Sequence, residues 1–262
     1  MLFLLPLLLS LQVEAAPRPP AAATLPPVPV LTARVVARYP HDATAFTQGL
    51  LWRDGALYES TGLVGRSEIR RVSLSDGKVS ARVRIPPGQF GEGLAQWRDQ
   101  LVSLTWHDGV VHRWNAKTLK PLGTARFPVE GWGLASDGTQ LIHSDGTATL
   151  RFLDPATLTT RRQVTVTLRG RPVRELNELE VVDGAVLANV WHTPYLLRID
   201  PASGRVTAVI DLRPVLAAVK VTDPEAVANG IAWDPAKRRL FVTGKLWPAL
   251  FEIALDPATP AG

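Results

Sequence analysis

The chain has 262 residues, no cysteine, 29 basic residues against 24 acidic ones, and a net charge of +5. This length suits one large domain, and the lack of cysteine excludes disulfides, thiolate nucleophiles and thiolate metal sites. The basic residues are scattered, without an RNA-binding aromatic motif or a recognition helix. They imply solubility and a mild attraction to acidic surfaces, and no nucleic-acid partner.

The chain opens with MLFLLPLLLSLQVEAAP, an apolar run too short and too proline-broken to span a membrane, followed by small residues suited to cleavage near Ala15 or Ala16. Residues 1–16 therefore read as a signal peptide. That implies export to the periplasm or beyond, and no membrane contact in the mature form. The Pro/Ala-rich stretch that follows, over 17–31, reads as an extended tether, and 32–258 as the folded domain.

Within that domain one phrase recurs. The tripeptides QGL, EGL, WGL, NEL and NGI place Gln48, Glu92, Trp132, Asn177 and Asn229 in equivalent positions, at spacings of 44, 40, 45 and 52 residues. This is the period of propeller blades. Each unit reads as short strands separated by turns. In the second, GLAQW, LVSLTW, VVHRWN and TARFP are strand-like, with RDQ, HDG and AKTLKPLG between them. Four strands per unit predict an all-β chain: a five-bladed β-propeller of four-stranded antiparallel blades. Asp-Pro-Ala runs at Asp154, Asp200, Asp234 and Asp256 read as equivalent corners, and LRPVLAAV (Leu212 to Val219) as an isolated helical turn. The last unit stops one strand short, and TARVVARYP (Thr32 to Pro40) supplies the missing one. The N-terminal strand is thus predicted to complete the last blade and close the ring, removing exposed edges. Such a ring favours a monomer.

A propeller points its repeat positions at a central channel, so the five residues above share one small volume. Counting five beyond an apolar strand residue gives a second set: Gly62, Trp106, Gly146, Trp191 and Lys245. The unlike residues in it point to a binding site rather than a structural ring. Trp52, Trp97, Trp114, Trp233 and Trp247 read as packing, Glu178 and Glu180 as hydrogen-bonding support, and His41 and Asp42 as fasteners of the closing loop. No histidine has metal-ligand spacing. Glu92, buried and walled by indoles, has its ionised form disfavoured, while Lys245 opposes that shift; such tuning suits a proton shuttle.

The segments YPHDATAFTQGL, ESTGLVGRS, FGEGLA, LTW, EGWGLASDG, LNELE, ANVW and VTGKLWPALFEI resemble the plant-type glutaminyl-peptide cyclotransferases and their bacterial relatives, from Tyr39 to Ile253. The resemblance implies a five-bladed propeller that turns the N-terminal glutamine of peptides or proteins into pyroglutamate, releasing ammonia without metal or other cofactor. It puts the essential acid on Glu92, and substrate contacts on Phe46, Gln48, Phe90, Trp106, Trp132, Asn177, Trp191 and Lys245. The chain departs from the family in having no cysteine, and in Thr44, where proline is common. In such a cyclisation one carboxyl relays the proton, and Glu92 is assigned to it. Lys245, Asn177 or Gln48 would stabilise the oxyanion, a choice the sequence leaves open. Two alternatives are a calcium-dependent lactonase-like propeller and a non-catalytic peptide-binding propeller.

Overall fold

A computed structural model describes residues 27–257, so the signal-peptide reading lies outside the described residues. After β1 (Val30–Pro40), the chain lays down five blades in sequence order, the last two joined through β1 into one eight-stranded sheet. Blade 1 holds β2 (Thr47–Arg53), β3 (Ala56–Thr61), β4 (Glu68–Val72) and β5 (Val79–Arg84). Blade 2 holds β6 (Gly91–Trp97), β7 (Gln100–Thr105), β8 (Val110–Asn115) and β9 (Pro121–Arg126). Blade 3 holds β10 (Leu134–Ser136), β11 (Leu141–His143), β12 (Thr149–Leu153) and β13 (Thr160–Thr165), trailed by a small hairpin of β14 (Thr167–Leu168) and β15 (Arg171–Pro172). Blade 4 holds β16 (Leu176–Val182), β17 (Ala185–Val190), β18 (Tyr195–Ile199) and β19 (Val206–Asp211). After the helix α1 (Arg213–Val219), blade 5 holds β20 (Ala228–Asp234), β21 (Arg239–Gly244) and β22 (Ala249–Pro257).

As expected, β1 supplies the fourth strand of the last blade, running antiparallel to β22 from Leu31↔Pro257 to Pro40↔Ala249. It also reaches further than the sequence suggested. Val30, Leu31 and Thr32 pair in parallel with β19, the Val209 amide donates to the Pro29 carbonyl, and Val28 packs on the blade 4 core. The end of the expected tether therefore belongs to the fold, because two blades need its backbone. The same pairing corrects the reading of Asp256 as a corner: it lies inside β22, opposite Thr32, with its carboxylate 2.7 Å from the Arg34 guanidinium. Asp154, Asp200 and Asp234 do form corners, each accepting from the amide two residues on. The helix α1 accounts for the longest repeat spacing. Pro214 lies in its first turn, where a missing N–H costs nothing, and Val215 and Val219 are buried against the last blade.

Burial falls from the axis outwards. The inner strands β2, β6, β16 and β20 are buried through most of their length between neighbouring blades, whereas the outer β5, β9 and β13 alternate or lie exposed. Glycine recurs next to the axis for want of room. A Cβ on Gly93 would stand 2.5 Å from the Leu134 amide nitrogen, and one on Gly133 2.0 Å from the Asn177 carbonyl oxygen. Blade 4 carries Glu178 at this position. Its carboxylate is fully buried and accepts from the amides of Leu50 in blade 1 (3.1 Å) and Ile231 in blade 5 (2.9 Å). This is the supporting role expected of it, and it ties three blades together.

A buried ion network fastens the closing loop. Glu59 accepts from Thr47 Oγ1 (2.6 Å), His41 Nε2 (3.1 Å) and Arg70 Nε (2.8 Å), while Arg70 Nη1 reaches Asp42 at 2.8 Å. Burial pushes the Glu59 carboxyl up, but His41 and Arg70 outweigh it and hold it at about 2, against an ordinary 4.5. A carboxylate depressed on folding stabilises the fold fully above its unfolded value, and that stability is lost as pH falls towards the folded value. Denaturant unfolding of wild type and Glu59→Gln should therefore differ most above about pH 4.5, by on the order of 3 kcal/mol, and the gap should close as pH falls to about 2. A pH-independent gap would assign Glu59 a packing role only.

Candidate functional site

Four inner strands slip in register at the repeat position. Between β2 and β3 the pairing passes from Thr47↔Thr61 to Gly49↔Ser60, stepping over Gln48. Equivalent slips step over Glu92, Asn177 and Asn229. A bulge releases its extra residue from the ladder and turns its side chain, a device common beside functional sites. In blade 3, β10 begins only at Leu134, and Trp132 precedes it, its amide donating to the Ser144 carbonyl (3.1 Å). These departures bring unlike side chains to one mouth of the channel.

There a cavity of about 230 Å³ is lined by all nine residues named from the sequence: Phe46, Gln48, Phe90, Glu92, Trp106, Trp132, Asn177, Trp191 and Lys245. Glu225 joins them. Asn229 stands behind the wall, donating to Thr47 O and Gln48 Oε1, both at 2.9 Å. Gln48 in turn donates to Glu92 Oε1 at 2.8 Å, so its amide is engaged at both ends and serves to hold the acid.

The walls form a closed belt. Phe46 meets Phe90 edge-on at 6.1 Å, Phe90 meets Trp106 at 5.5 Å, and Trp132 meets Trp191 edge-on at 5.5 Å. The Lys245 ammonium bridges one gap, 4.7 Å from the Phe46 ring and 5.9 Å from that of Trp191. Glu130 bridges the other: its Oε1 accepts from Trp106 Nε1 (2.5 Å) and Trp132 Nε1 (3.0 Å), joining blades 2 and 3. The two glycines of the second ring make room for the belt. A Cβ on Gly62 would lie 2.4 Å from the Phe90 ring, and one on Gly146 2.8 Å from that of Trp132.

Glu92 is 4% exposed. Burial pushes its carboxyl well above the usual range; Lys245 pulls it down and Glu130 pushes it further up. Burial likewise lowers the Lys245 ammonium, against the pull of Glu92 and Glu225. Two buried polar atoms here, Asn177 Oδ1 and Trp191 Nε1, have no partner. Unsatisfied groups of this kind in a concave aromatic site suit a small ligand rich in hydrogen-bonding atoms.

A larger cavity, about 500 Å³, opens at the opposite mouth between Trp52, Trp97 and Trp233. Burial raises its Glu180 to about 8. Each of those indoles is covered by an arginine: Arg239, Arg98 and Arg238 respectively. None of the buried unpartnered atoms lines it. The convergent chemistry belongs to the smaller cavity.

Sequence reading missed Glu130 and Glu225. A signal for Glu130 was present. It stands two residues before Trp132, as Phe46 stands before Gln48 and Phe90 before Glu92, and so belongs to a third ring of the same repeat. Glu225 lies in the irregular exposed segment between α1 and β20, where no period applies.

The chain matches a family model described as glutamine cyclotransferase over residues 7–255. It is 42% identical over 229 residues to the glutaminyl-peptide cyclotransferase of Arabidopsis thaliana, a match covering 86% of this chain and 72% of that protein. Its fold is similar to the crystal structure of Myxococcus xanthus glutaminyl cyclase, with a TM-score of 0.85 and 42% identity over 89% of this chain and 100% of that one.

Gly62→Ala should force the Phe90 ring outward, since the added carbon falls inside contact distance of two ring atoms. Overpacking of this kind costs about 1–3 kcal/mol, so the thermal midpoint should fall by several degrees and indole emission should shift. An unchanged midpoint would show that the belt yields freely at Phe90.

Proposed function

The chain belongs to the glutamine cyclotransferase family and is a glutaminyl-peptide cyclotransferase; we propose that it carries out the reaction through Glu92 as a single proton carrier. The observation that carries this reading is a buried carboxyl, raised by desolvation and held by Gln48 inside an aromatic belt, beside Lys245 and two unpartnered polar atoms.

In the reaction the α-nitrogen of an N-terminal glutamine attacks its own γ-amide carbon. A bond from that nitrogen to Cδ forms, the Cδ–NH₂ bond breaks, and ammonia leaves a lactam. Both reactants sit in one residue, so the site has to select the folded conformer and move protons. The α-amine has a pKa of roughly 7.7–8.0 and must shed a proton before it attacks, and the departing nitrogen must gain one. The Glu92 carboxylate takes the first proton from the ammonium and delivers it to the departing nitrogen, and the carboxylate so regenerated takes the second proton, which the ring nitrogen sheds as the lactam forms; burial, which raises this carboxyl, makes it a better acceptor. Negative charge develops on the former amide oxygen. With Gln48 engaged by Glu92 and Asn229, the donors free to meet it are Lys245, the Asn177 amide and the Trp191 indole N–H. The belt of Phe46, Phe90, Trp106, Trp132 and Trp191 clasps the short side chain and excludes water, which disfavours hydrolysis to glutamate. Glu130 holds two of those indoles and so acts as a positioning residue. The lactonase alternative needs several carboxylates around a cation, whereas here Glu92 faces an ammonium. Export through the apolar leader, and action as a monomer on peptides and proteins, complete the reading; ring closure supports the second point.

Glu92→Gln keeps the shape and removes the titrating proton. Ammonia release from Gln-Ala-type peptides should fall at least about a hundredfold, while peptide binding, followed by tryptophan emission, changes little. Release at the wild-type rate would remove Glu92 from the relay. Activity needs one mobile proton between Glu92 and the substrate amine, so the pH profile of kcat/KM should be bell-shaped. Glu130→Gln can still accept from both indoles but removes a like charge that raises Glu92, so the acid limb should move to lower pH with little change in KM. Glu130→Ala frees both indoles and should raise KM several-fold. Identical profiles for all three proteins would leave Glu130 no part in the site.

A further inference from the structure

A second cavity, also about 230 Å³, adjoins the glutamine pocket, and Phe46 lines both. It is lined by Arg66, Arg70, Arg82 and Arg84 against Asp42 and Glu68. The two acids are already engaged. Asp42 accepts from Thr44 with one oxygen and from Arg70 with the other, and Glu68 lies 3.6 Å from Arg70 and 3.7 Å from Arg82. Among the described residues the guanidinium groups of Arg66 and Arg84 have no hydrogen-bond or ion-pair partner. Strand pairing concentrates the charge further. Arg70 stands directly opposite Arg82 with Glu68 near both, and Arg84 lies two residues along on the same face as Arg82, its backbone opposite Glu68. The wall beside Phe46 is also held firmly. Leu63 has a positive φ of 83°, the Arg66 amide donates to the Leu63 carbonyl (2.9 Å), and Ser67 Oγ donates to that carbonyl (2.8 Å) while accepting from the Gly91 amide (3.0 Å). The loop that carries Arg66 is thereby tied to the start of the strand that carries Glu92.

Resting on the cyclotransferase reading, we propose that this arginine groove is a subsite for the peptide beyond its N-terminal glutamine, and that it selects a carboxylate in the one or two residues that follow. The carboxylate is an aspartate or glutamate side chain or, in a very short peptide, the terminal carboxyl. Arginine suits either, because its planar fork meets both carboxylate oxygens. The groove is open to solvent, so the discrimination is modest and screened by salt.

The test compares kcat/KM, from ammonia release, for C-terminally amidated peptides of one length with Glu, Ala or Lys after the glutamine, alongside Gln-Ala with a free and with an amidated carboxyl. At low ionic strength the Glu peptide should exceed the Lys peptide by about tenfold, mostly through KM, and the ratio should shrink in high salt. Free Gln-Ala exceeding its amide would identify the terminal carboxyl as a second source. In Arg66→Ala/Arg84→Ala the Glu-to-Lys ratio should approach one, and in Arg66→Glu/Arg84→Glu it should invert. Equal rates for the three peptides in wild type, or a preference that survives both double variants, would overturn the subsite and leave the arginines as protection of an outer strand. Binding of the same peptides, read by tryptophan emission, decides the matter separately from turnover: failure of every peptide to release ammonia would count against the cyclotransferase reading, whereas indifferent binding counts against the groove.

Discussion

The pairing of β1 with β22 is the constraint on which the rest depends. Without it the last blade is three-stranded and the ring is open. With it, each inner strand is held against two neighbours and five chain segments distant in sequence are forced onto one axis. The crowding there has visible consequences: glycine wherever a Cβ would strike the adjacent strand, and in blade 4 a carboxylate whose length lets it cross the axis and take amides from blades 1 and 5.

Crowding also produces the electrostatics of the site. The bulge that frees Glu92 from its ladder turns it into a small aromatic enclosure, where desolvation outweighs the ammonium nearby. The enclosure is made of parts from every blade: rings from blades 1 to 4, the lysine from blade 5, and a carboxylate spanning the gap between blades 2 and 3. No blade contains a functional unit alone.

Much of this was legible because the repeat fixes phase. Once QGL, EGL, WGL, NEL and NGI are aligned, side chains at equal offsets must share a level of the channel, which is how seven of the nine lining residues could be named together; Phe46 and Phe90 came from the family resemblance. The closing strand was legible from arithmetic, one strand too few at one end and one too many at the other. What escaped depends on contacts that no period encodes. Asp256 looks like its three cousins in sequence, yet β1 holds it extended. Gln48 reads as a donor for the oxyanion, and only its neighbours show both ends of its amide engaged. The roles of the two glycines in the second ring also needed geometry, since the rings that fill their space come from different offsets.

The closing strand has a consequence for biosynthesis. A ribosome makes β1 before any other part of the fold, while its partner β22 is made last, so the longest-range pairing in the molecule is also the one whose halves are separated most in time. Non-local pairings of this kind are slow to form, and strand edges are exposed until they do. Four blades can be complete while the fifth waits, and the lysine that bridges Trp191 to Phe46 comes from that fifth blade. A nascent chain thus has no assembled pocket until the strands of that fifth blade emerge.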